Sequence, residues 1–454
     1  ILQSINYSSI SSYLPKNEAK SDPFNIFQAV HASSGTAINS ELVARSLPAV
    51  VKIYNISCGN ILYLNQLLAS GGYGGSGSGF LLSNDGYVGT NGHVAAISVK
   101  DVVFNSIISS PDILERMLDI EGYSQQEISA YIDNIQSDPS LIASAASLVY
   151  DLKDSQIQYG KNHQSHILVA LGEKIPNINS LTKGKSIKDS QYIKNAELID
   201  YDYDSSEVIS GEFTKSDVAI LKIDGANYPY IRTGTIEEVV QGSNIIVMGF
   251  PGTAENALVD TSVLEPSTTT GVVSAIRDTN DGKHKIIQSD VSISHGSSGG
   301  PAISNDSGNV VGLATYVYDN QQSGNDSISY MRDISDLLGL ASENQLTLNL
   351  SGDTQSIWEK GLSLFFEAKY SESIKSFEET KEAYPPHRLA DAYISLAEAK
   401  IANGEEVVES SKMYLFIIGI AISTIGVASA ISLIVLHHRR HIEFKNSTPQ
   451  PVST

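Results

Sequence analysis

Residues 294–301 read S-H-G-S-S-G-G-P, and this segment constrains the fold of the chain more than any other. Gly296 and Gly299 flank Ser298 and permit backbone conformations that a side chain would forbid. Such a turn projects the serine hydroxyl and aims the backbone amides of Gly296 and Ser298 at one spot, which predicts a nucleophile beside an oxyanion hole. A Gly-Ser cluster alone is also typical of a flexible turn, so this interpretation depends on partner residues elsewhere.

Two upstream segments supply the partners that a nucleophilic serine requires. A serine hydroxyl is a weak nucleophile unless an imidazole accepts its proton, and the imidazole needs a carboxylate to orient it and stabilise its cation. Residues 86–94 predict a short strand whose loop delivers His93, and Asp217 directly precedes an apolar strand. Taken singly, they could be a surface histidine and a strand-edge aspartate. In the order His, Asp, Ser they predict a catalytic triad of His93, Asp217 and Ser298.

The wider pattern resembles the HtrA-type branch of the trypsin-like serine proteases. Six blocks carry the resemblance: an opening strand, a G-S-G-F strand, T-N-x-H-V, D-x-A-x-L-K-I, T-x-G-x-V-S-A and a lead-in similar to I-Q-T-D. They are, in that order, residues 47–53, 77–82, 90–94, 216–223, 270–276 and 287–290. The resemblance implies a mainly β domain over residues 39–345, with two antiparallel β-barrels and the catalytic residues between them. It also implies a serine endopeptidase that acts on protein or peptide substrates without a metal or cofactor.

Two departures from the family pattern matter. The family usually has Asn before the nucleophile, where this chain has Ser297, and digestive relatives have an Asp there that pairs with a cleaved N-terminal amine. Ser297 cannot form that ion pair, so we expect activity without such a cleavage. The interval between His93 and Asp217 is also much longer than the resemblance predicts, which indicates an insertion inside the first barrel.

The resemblance also places a specificity pocket. Ser292, six residues before the nucleophile, corresponds to the base of the pocket that receives the P1 side chain of the substrate. Selection of Lys or Arg requires a buried negative charge, so Ser292 favours small or medium uncharged P1 residues. We expect the pocket walls to come from Ala314, Thr315 and Tyr316.

The insertion, at about residues 98–158, is predicted to be helical. Ser110-Pro111-Asp112 predicts a helix start, and residues 124–127 form a capping-box pattern before apolar positions at helix spacing. The insertion could be a lid that gates substrate near His93 or a surface decoration with its own small core. The second interpretation is favoured because loop insertions cost little free energy.

A second helical segment follows the protease-like region. Residues 356–404 carry Gly361, Leu364, Ser373, Phe377 and Pro385 at spacings similar to one tetratricopeptide repeat, followed by a third helix. One repeat is too short for a long peptide-binding groove, so a spacer or docking stalk is favoured over a specific receptor. No pattern typical of a PDZ domain follows the protease region.

Residues 413–436 carry no charge and are long enough to cross a bilayer. The segment is therefore predicted to be a transmembrane helix rather than a buried core helix. A basic cluster begins the tail of residues 437–454, whereas acidic residues precede the span, so the tail is expected in the cytoplasm and the protease outside it. Residues 1–38 form a polar extension that shows no export signal, and we expect that signal to have been removed or omitted.

The charge and cysteine content of the chain limit its binding partners and its possible covalent cross-links. A formal net charge of -21 argues against nucleic acid or anionic lipid as a partner of the outward domain. Cys58 is the only cysteine, so no intramolecular disulfide is possible. The oligomeric state stays open. The rival interpretation is a gated or non-catalytic scaffold or chaperone that keeps the protease fold and binds proteins through the stalk and the insertion.

Overall fold

Two antiparallel β-barrels and a C-terminal helical region make up the described part of the chain. The structure is a computed structural model that describes residues 39–136, 139–172, 187–210, 214–252, 264–319, 327–407 and 429–437. A short helix, α1 (Ser40–Ser46), precedes the first barrel and is capped by the side chain of Asn39. The mainly β architecture with two barrels agrees with the fold that the sequence motifs predict.

The first barrel closes through six strands in the order β1-β2-β3-β7-β6-β5, and β4 extends the far end of β1. Its interior is filled by alternate apolar side chains of these strands, which share one core with the helix that follows the second barrel. The strands are β1 (Val50–Tyr63), β2 (Gln66–Leu81), β3 (Tyr87–Thr90), β4 (Ile157–Tyr159), β5 (Gln164–Ala170), β6 (Ile193–Asp202) and β7 (Val218–Ile223).

Outside the insertion, the described residues between these strands include two short helices, α2 (Gly92–Ala95) after β3 and α7 (Ser205–Ser210) after β6. The second barrel closes in the order β10-β13-β12-β11-β8-β9 and has its own core. Its strands are β8 (Asn244–Gly249), β9 (Ser267–Asp278), β10 (Lys285–Ser289), β11 (Pro301–Ser304), β12 (Val310–Asp319) and β13 (Ser327–Asp333). Helix α8 (Ile334–Glu343) then returns to the first barrel, where Leu337 packs against the backbone at Gly89. The two barrels are therefore tied together by chain connectivity as well as by contacts.

The described part of the insertion contains four α-helices, α3 (Val99–Ser109), α4 (Asp112–Glu121), α5 (Gln125–Gln136) and α6 (Pro139–Ser147). Ser98 and Asp101 form a capping box at the start of α3, and Ser124 and Glu127 pair reciprocally before α5. Apolar side chains of these helices pack on the protruding ends of β1 and β2 as a core separate from that of the barrel. This arrangement explains how the first barrel tolerates so long an insertion.

The C-terminal helical region, here called the helical module, consists of α9 (Asp353–Phe366), α10 (Tyr370–Ala383) and α11 (Ala390–Ala402). Trp358 is fully buried among aromatic side chains of the module, and its indole N–H donates to the carbonyl oxygen of Ala44 in α1 at 3.0 Å. Arg232, in the segment between β7 and β8, donates two hydrogen bonds to Glu359, at 2.6 and 2.9 Å. The module is thus docked against the two-barrel region.

The predicted transmembrane span, residues 413–436, falls mostly outside the described residues. Its last eight residues belong to a helix that covers residues 429–437. Within the part of the chain that the structure describes, no helix is both long enough and apolar enough to cross a membrane.

Candidate active site

The two barrels meet where the predicted triad residues lie. His93 is in α2 of the first barrel, Asp217 directly precedes β7, and Ser298 lies in the loop between β10 and β11 of the second barrel. The barrels are joined at this point by the amide of Ser78, in β2, which donates to the carbonyl oxygen of Ser298 at 2.8 Å.

His93 and Asp217 form a closely paired unit. Oδ2 of Asp217 lies 2.8 Å from Nδ1 of His93, and Oδ1 accepts the backbone N–H of His93 at 2.9 Å. Asp217 is 1% exposed and has a φ of 55°, a left-handed conformation that is costly for a residue other than glycine. Two hydrogen bonds of its backbone hold it in this conformation. The side-chain amide of Asn91 donates to the carbonyl oxygen of Asp217, and the amide of Asp217 donates to the carbonyl oxygen of Asp202, each at 2.8 Å. The aspartate is therefore fixed in position before any substrate arrives.

The electrostatics of His93 follow from this pairing. Burial disfavours the imidazolium form, but the charge of Asp217 and the hydrogen bond to it, assisted by the charge of Asp101, outweigh burial and raise the pKa of His93 above its usual value. The imidazole side chain is still 24% exposed. It is therefore basic, oriented through Nδ1, and reachable from the solvent.

Residues 294–298, here called the oxyanion turn, are shaped by the backbone. Gly296 has a φ of +95°, and the turn is closed by a hydrogen bond of 2.9 Å from the amide of Ser297 to the carbonyl oxygen of Ser294. The carbonyl oxygen of His295 accepts the amide of Gly252 at 2.7 Å, so the N–H of the same peptide unit, that of Gly296, faces the other way. Neither Gly296 nor Ser298 donates its amide to an acceptor within the described residues. Both amides are available to a ligand.

Ser78 supports this turn from the first barrel. Its hydroxyl donates to the carbonyl oxygen of Gly296 at 2.6 Å and accepts the amide of Phe250 at 2.8 Å, and the residue is fully buried. Sequence reasoning missed this role. The signal was present, because Ser78 is the serine of the G-S-G-F block, but the block was interpreted only as a strand.

The hydroxyl of Ser298 does not bond to His93 in this structure. Its Oγ lies 3.5 Å from the carbonyl oxygen of Thr315, its hydrogen-bond acceptor. The Oγ1 of Thr315 in turn accepts a hydrogen bond of 3.0 Å from Asn91, a neighbour of His93. A rotation of the Ser298 side chain is thus required before its proton can pass to the imidazole.

A pocket of about 270 Å³ lies beside the oxyanion turn. The described residues that line it are uncharged and mostly small: Val247, Gly249, Pro251, Ser267, Thr269, Ser292, Ser294 and Ser297. Of the residues predicted for the specificity pocket, Ser292 lines it.

The other predicted pocket residues lie elsewhere. Ala314 is fully buried in the core of the second barrel, and the carbonyl of Thr315 faces Ser298. Tyr316 is described only through its backbone pairing with Tyr330. Among the residues that the structure describes, no group of three or more His, Cys, Asp or Glu side chains is arranged to hold a metal ion.

Comparison with known families identifies part of this region. A family model described as a trypsin-like peptidase domain matches residues 166–313. The matched segment contains Asp217 and Ser298 and begins after the helical insertion that separates them from His93.

Curated proteins and solved structures give related matches. A probable periplasmic serine endoprotease, DegP-like, from Halomonas elongata is 36% identical over 110 residues, which cover 24% of this chain and 21% of that protein. A putative serine protease HhoB from Synechocystis sp. is 25% identical over 144 residues, or 30% of this chain and 32% of that protein. The chain thus matches only a minor part of the length of these relatives. A structure titled HtrA-type protease AlgW with decapeptide is 18% identical, covers 67% of each chain and has a TM-score of 0.36.

Proposed function

We propose that this chain carries a trypsin-like serine peptidase domain of the HtrA type and that it is an endopeptidase whose catalytic residues are His93, Asp217 and Ser298. One observation carries the proposal. His93 and Asp217 are paired at 2.8 Å, and near them lies the oxyanion turn, where the amides of Gly296 and Ser298 donate to no acceptor among the described residues and lie beside the hydroxyl of Ser298. A general base, a nucleophile and an oxyanion site are the three elements that acyl transfer requires.

The chemistry assigns one task to each group. When a peptide carbonyl occupies the cleft, the hydroxyl of Ser298 rotates from Thr315 to Nε2 of His93, transfers its proton there and attacks the carbonyl carbon. His93 then passes this proton to the leaving amine, and Asp217 stabilises the imidazolium that forms between the two steps. The amides of Gly296 and Ser298 bind the developing oxyanion, and each contributes about 3 kcal/mol to the lowering of the barrier.

The substrate preference follows from the pocket that contains Ser292. Among the residues that the structure describes, its hydroxyl and apolar lining offers no carboxylate to pair with a substrate cation, which supports a preference for small or medium uncharged P1 side chains. Peptides that differ only at P1 test this point. We expect higher kcat/KM for alanine or valine than for lysine or arginine, and the opposite order would contradict the assignment.

The proposal includes a membrane anchor over residues 413–436, with the tail in the cytoplasm and the protease outside it. The sequence supports it through the uncharged span and the basic residues that follow. In the helix of residues 429–437, Leu433 and Ile434 are 67% and 68% exposed, as lipid-facing side chains would be. The full chain should float with lipid vesicles in a density gradient, whereas a chain ending at residue 407 should not.

A fluorophosphonate probe tests the activity directly. The purified chain should be modified at Ser298, as mapped by mass spectrometry, and the Ser298→Ala variant should show no modification there and no proteolysis. Ser274→Ala, an exposed serine on β9, serves as the matched control and should label like the wild type. A folded wild-type chain that does not label would instead favour the gated or non-catalytic scaffold.

A further inference from the structure

The connection between α10 and α11 of the helical module reaches the protease region next to the oxyanion turn. Arg388 lies in this connection, and its Nη2 donates to the carbonyl oxygen of Leu171, at the end of β5, at 2.7 Å. The guanidinium carbon of the same side chain lies 5.6 Å from the ring centroid of Phe250, within the range of a cation–π contact. Phe250 is 3% exposed, so its ring is enclosed at this contact.

The burial of Arg388 in this way reduces the stability of the fold. The Nε and Nη1 atoms of Arg388 are inaccessible to solvent and have no hydrogen-bond partner among the described residues, and burial lowers its pKa to about 10. Unsatisfied buried donors destabilise a fold, so an apolar side chain at this position could serve docking alone with a smaller loss of stability. The module has such contacts elsewhere, in the buried Trp358 and in the T-shaped pair of Tyr384 with Tyr228. The position of Arg388 therefore calls for a role beyond docking.

Phe250 is joined to the oxyanion turn by two short routes. Its amide donates to the hydroxyl of Ser78, which itself donates to the carbonyl oxygen of Gly296. Two residues further on, the amide of Gly252 holds the carbonyl oxygen of His295. This second bond sets the orientation of the peptide unit whose N–H points into the oxyanion site. There is little room for adjustment, because a Cβ built on Gly296 would lie 2.5 Å from the carbonyl oxygen of Phe250.

We propose that the helical module is a positioning element of the active site: Arg388 clamps Phe250 and thereby holds the oxyanion turn in the form that presents both amides. The inference rests on the proposed function and assigns the module a part in it beyond a spacer. Release of Phe250 frees the segment from Phe250 to Gly252, and the peptide unit at Gly296 is then no longer fixed. The expected consequence is a loss of transition-state stabilisation, which lowers kcat, with little change in substrate binding in the ground state.

The test compares Arg388→Ala with Glu359→Gln in the full chain. The second variant removes the negative charge and one of the two hydrogen-bond acceptors from another charged docking contact of the module, the pair of Glu359 with Arg232, and Glu359 makes no contact with Phe250 among the described hydrogen bonds. Trp358 is the only tryptophan in the chain and is buried in the module, so its emission reports whether the module remains folded in each variant. We expect Arg388→Ala to lower kcat about tenfold or more with KM nearly unchanged, and Glu359→Gln to change kcat by less than about twofold. Arg388→Lys keeps a charge and a donor for Leu171 and should restore part of the loss.

Amide hydrogen exchange of residues 292–300 gives a readout that needs no turnover. Exchange in this segment should accelerate in Arg388→Ala and stay at the wild-type rate in Glu359→Gln. Equal kcat and equal exchange in the two variants, with native Trp358 emission, would overturn the inference. If Arg388→Ala loses that emission, Phe250→Leu decides by the same two readouts, because it leaves the module intact. A wild-type chain that fails to label at Ser298 would overturn the proposed function, while the exchange comparison still tests the clamp.

Discussion

The first barrel presents the proposed catalytic pair, His93 and Asp217, through side-chain hydrogen bonds, whereas the second barrel presents the proposed oxyanion amides through the backbone. His93 and Asp217 are joined twice, and the left-handed conformation of the aspartate is held by bonds to its own backbone. The oxyanion turn contributes amides whose direction depends on the conformation of Gly296 and on neighbours that hold carbonyl oxygens. The first half is thus vulnerable to a change of chemical group. The second is vulnerable to changes that leave every catalytic group in place.

Asp217→Asn should have the largest effect on the first half. An amide cannot stabilise the imidazolium as a carboxylate does, and it favours the wrong tautomer of His93, so we expect kcat to fall about 10⁴-fold. The measurement is kcat on a peptide substrate, with circular dichroism to verify the fold. Asp202→Asn is the control, since it changes a partly exposed carboxylate that accepts bonds from Ser216. A loss of less than about tenfold in Asp217→Asn would remove this residue from the mechanism.

Gly296→Ala should have the next largest effect and tests the second half. The substitution adds no polar group, but the Cβ would approach the carbonyl oxygen of Phe250 at 2.5 Å, at a φ of +95° that alanine rarely adopts. The peptide unit must move, and loss of one oxyanion donor lowers kcat about 10²- to 10³-fold.

Gly282→Ala provides the matched control for this prediction. Gly282 also has a positive φ, 68°, but a Cβ there meets nothing within 4 Å. It should lower the free energy of unfolding by about 1–2 kcal/mol and leave kcat unchanged. Equal kcat in the two variants would show that the backbone of the oxyanion turn tolerates a change in Gly296.

Ser78→Ala tests the link between the two halves and should have a smaller effect. It leaves the carbonyl oxygen of Gly296 and the amide of Phe250 without their buried partner, which should cost about 1–3 kcal/mol of stability. We also expect kcat to fall about tenfold, because the turn is loosened while its amides are retained. Ser373→Ala, at an equally buried serine of the helical module that donates to Tyr370, should lose stability without a comparable loss of kcat. Equal kcat values in the two variants would separate Ser78 from catalysis.

The sequence was most informative where chemistry is concentrated in short motifs. The order His, Asp, Ser singled out His93 and Asp217, and the structure brings these residues within 2.8 Å although they are 124 positions apart. The two-barrel architecture could be predicted because the strand blocks resemble those of a known family, and it was that resemblance which implied two barrels. Helix starts inside the insertion were readable from their caps, such as Ser124 with Glu127.

Contacts between distant segments could not be predicted in this way. The hydroxyl of Ser78 reaches residue 296, and Arg388 reaches residues 171 and 250, but neither contact imposes a spacing on the sequence. Trp358 could be assigned to a helix, yet its hydrogen bond to Ala44, 314 positions away, depends on how the module docks. Periodicity identifies which face of an element is buried and carries no information about what lies against it.

The smallest predicted effect concerns the pH dependence of the first half. His93 must be neutral to accept the serine proton, so kcat/KM should rise with pH through a midpoint above 6.5, because the charge and hydrogen bond of Asp217 outweigh burial and raise the pKa of His93. Asp101→Asn removes a negative charge that favours the imidazolium, so it should lower that pKa and move the midpoint down by a few tenths of a unit. The control is Asp119→Asn, at an exposed carboxylate paired with Arg116 in the same insertion, which should not move the midpoint. An unchanged midpoint in Asp101→Asn, or an equal shift in both variants, would show that Asp101 has no specific electrostatic influence on His93.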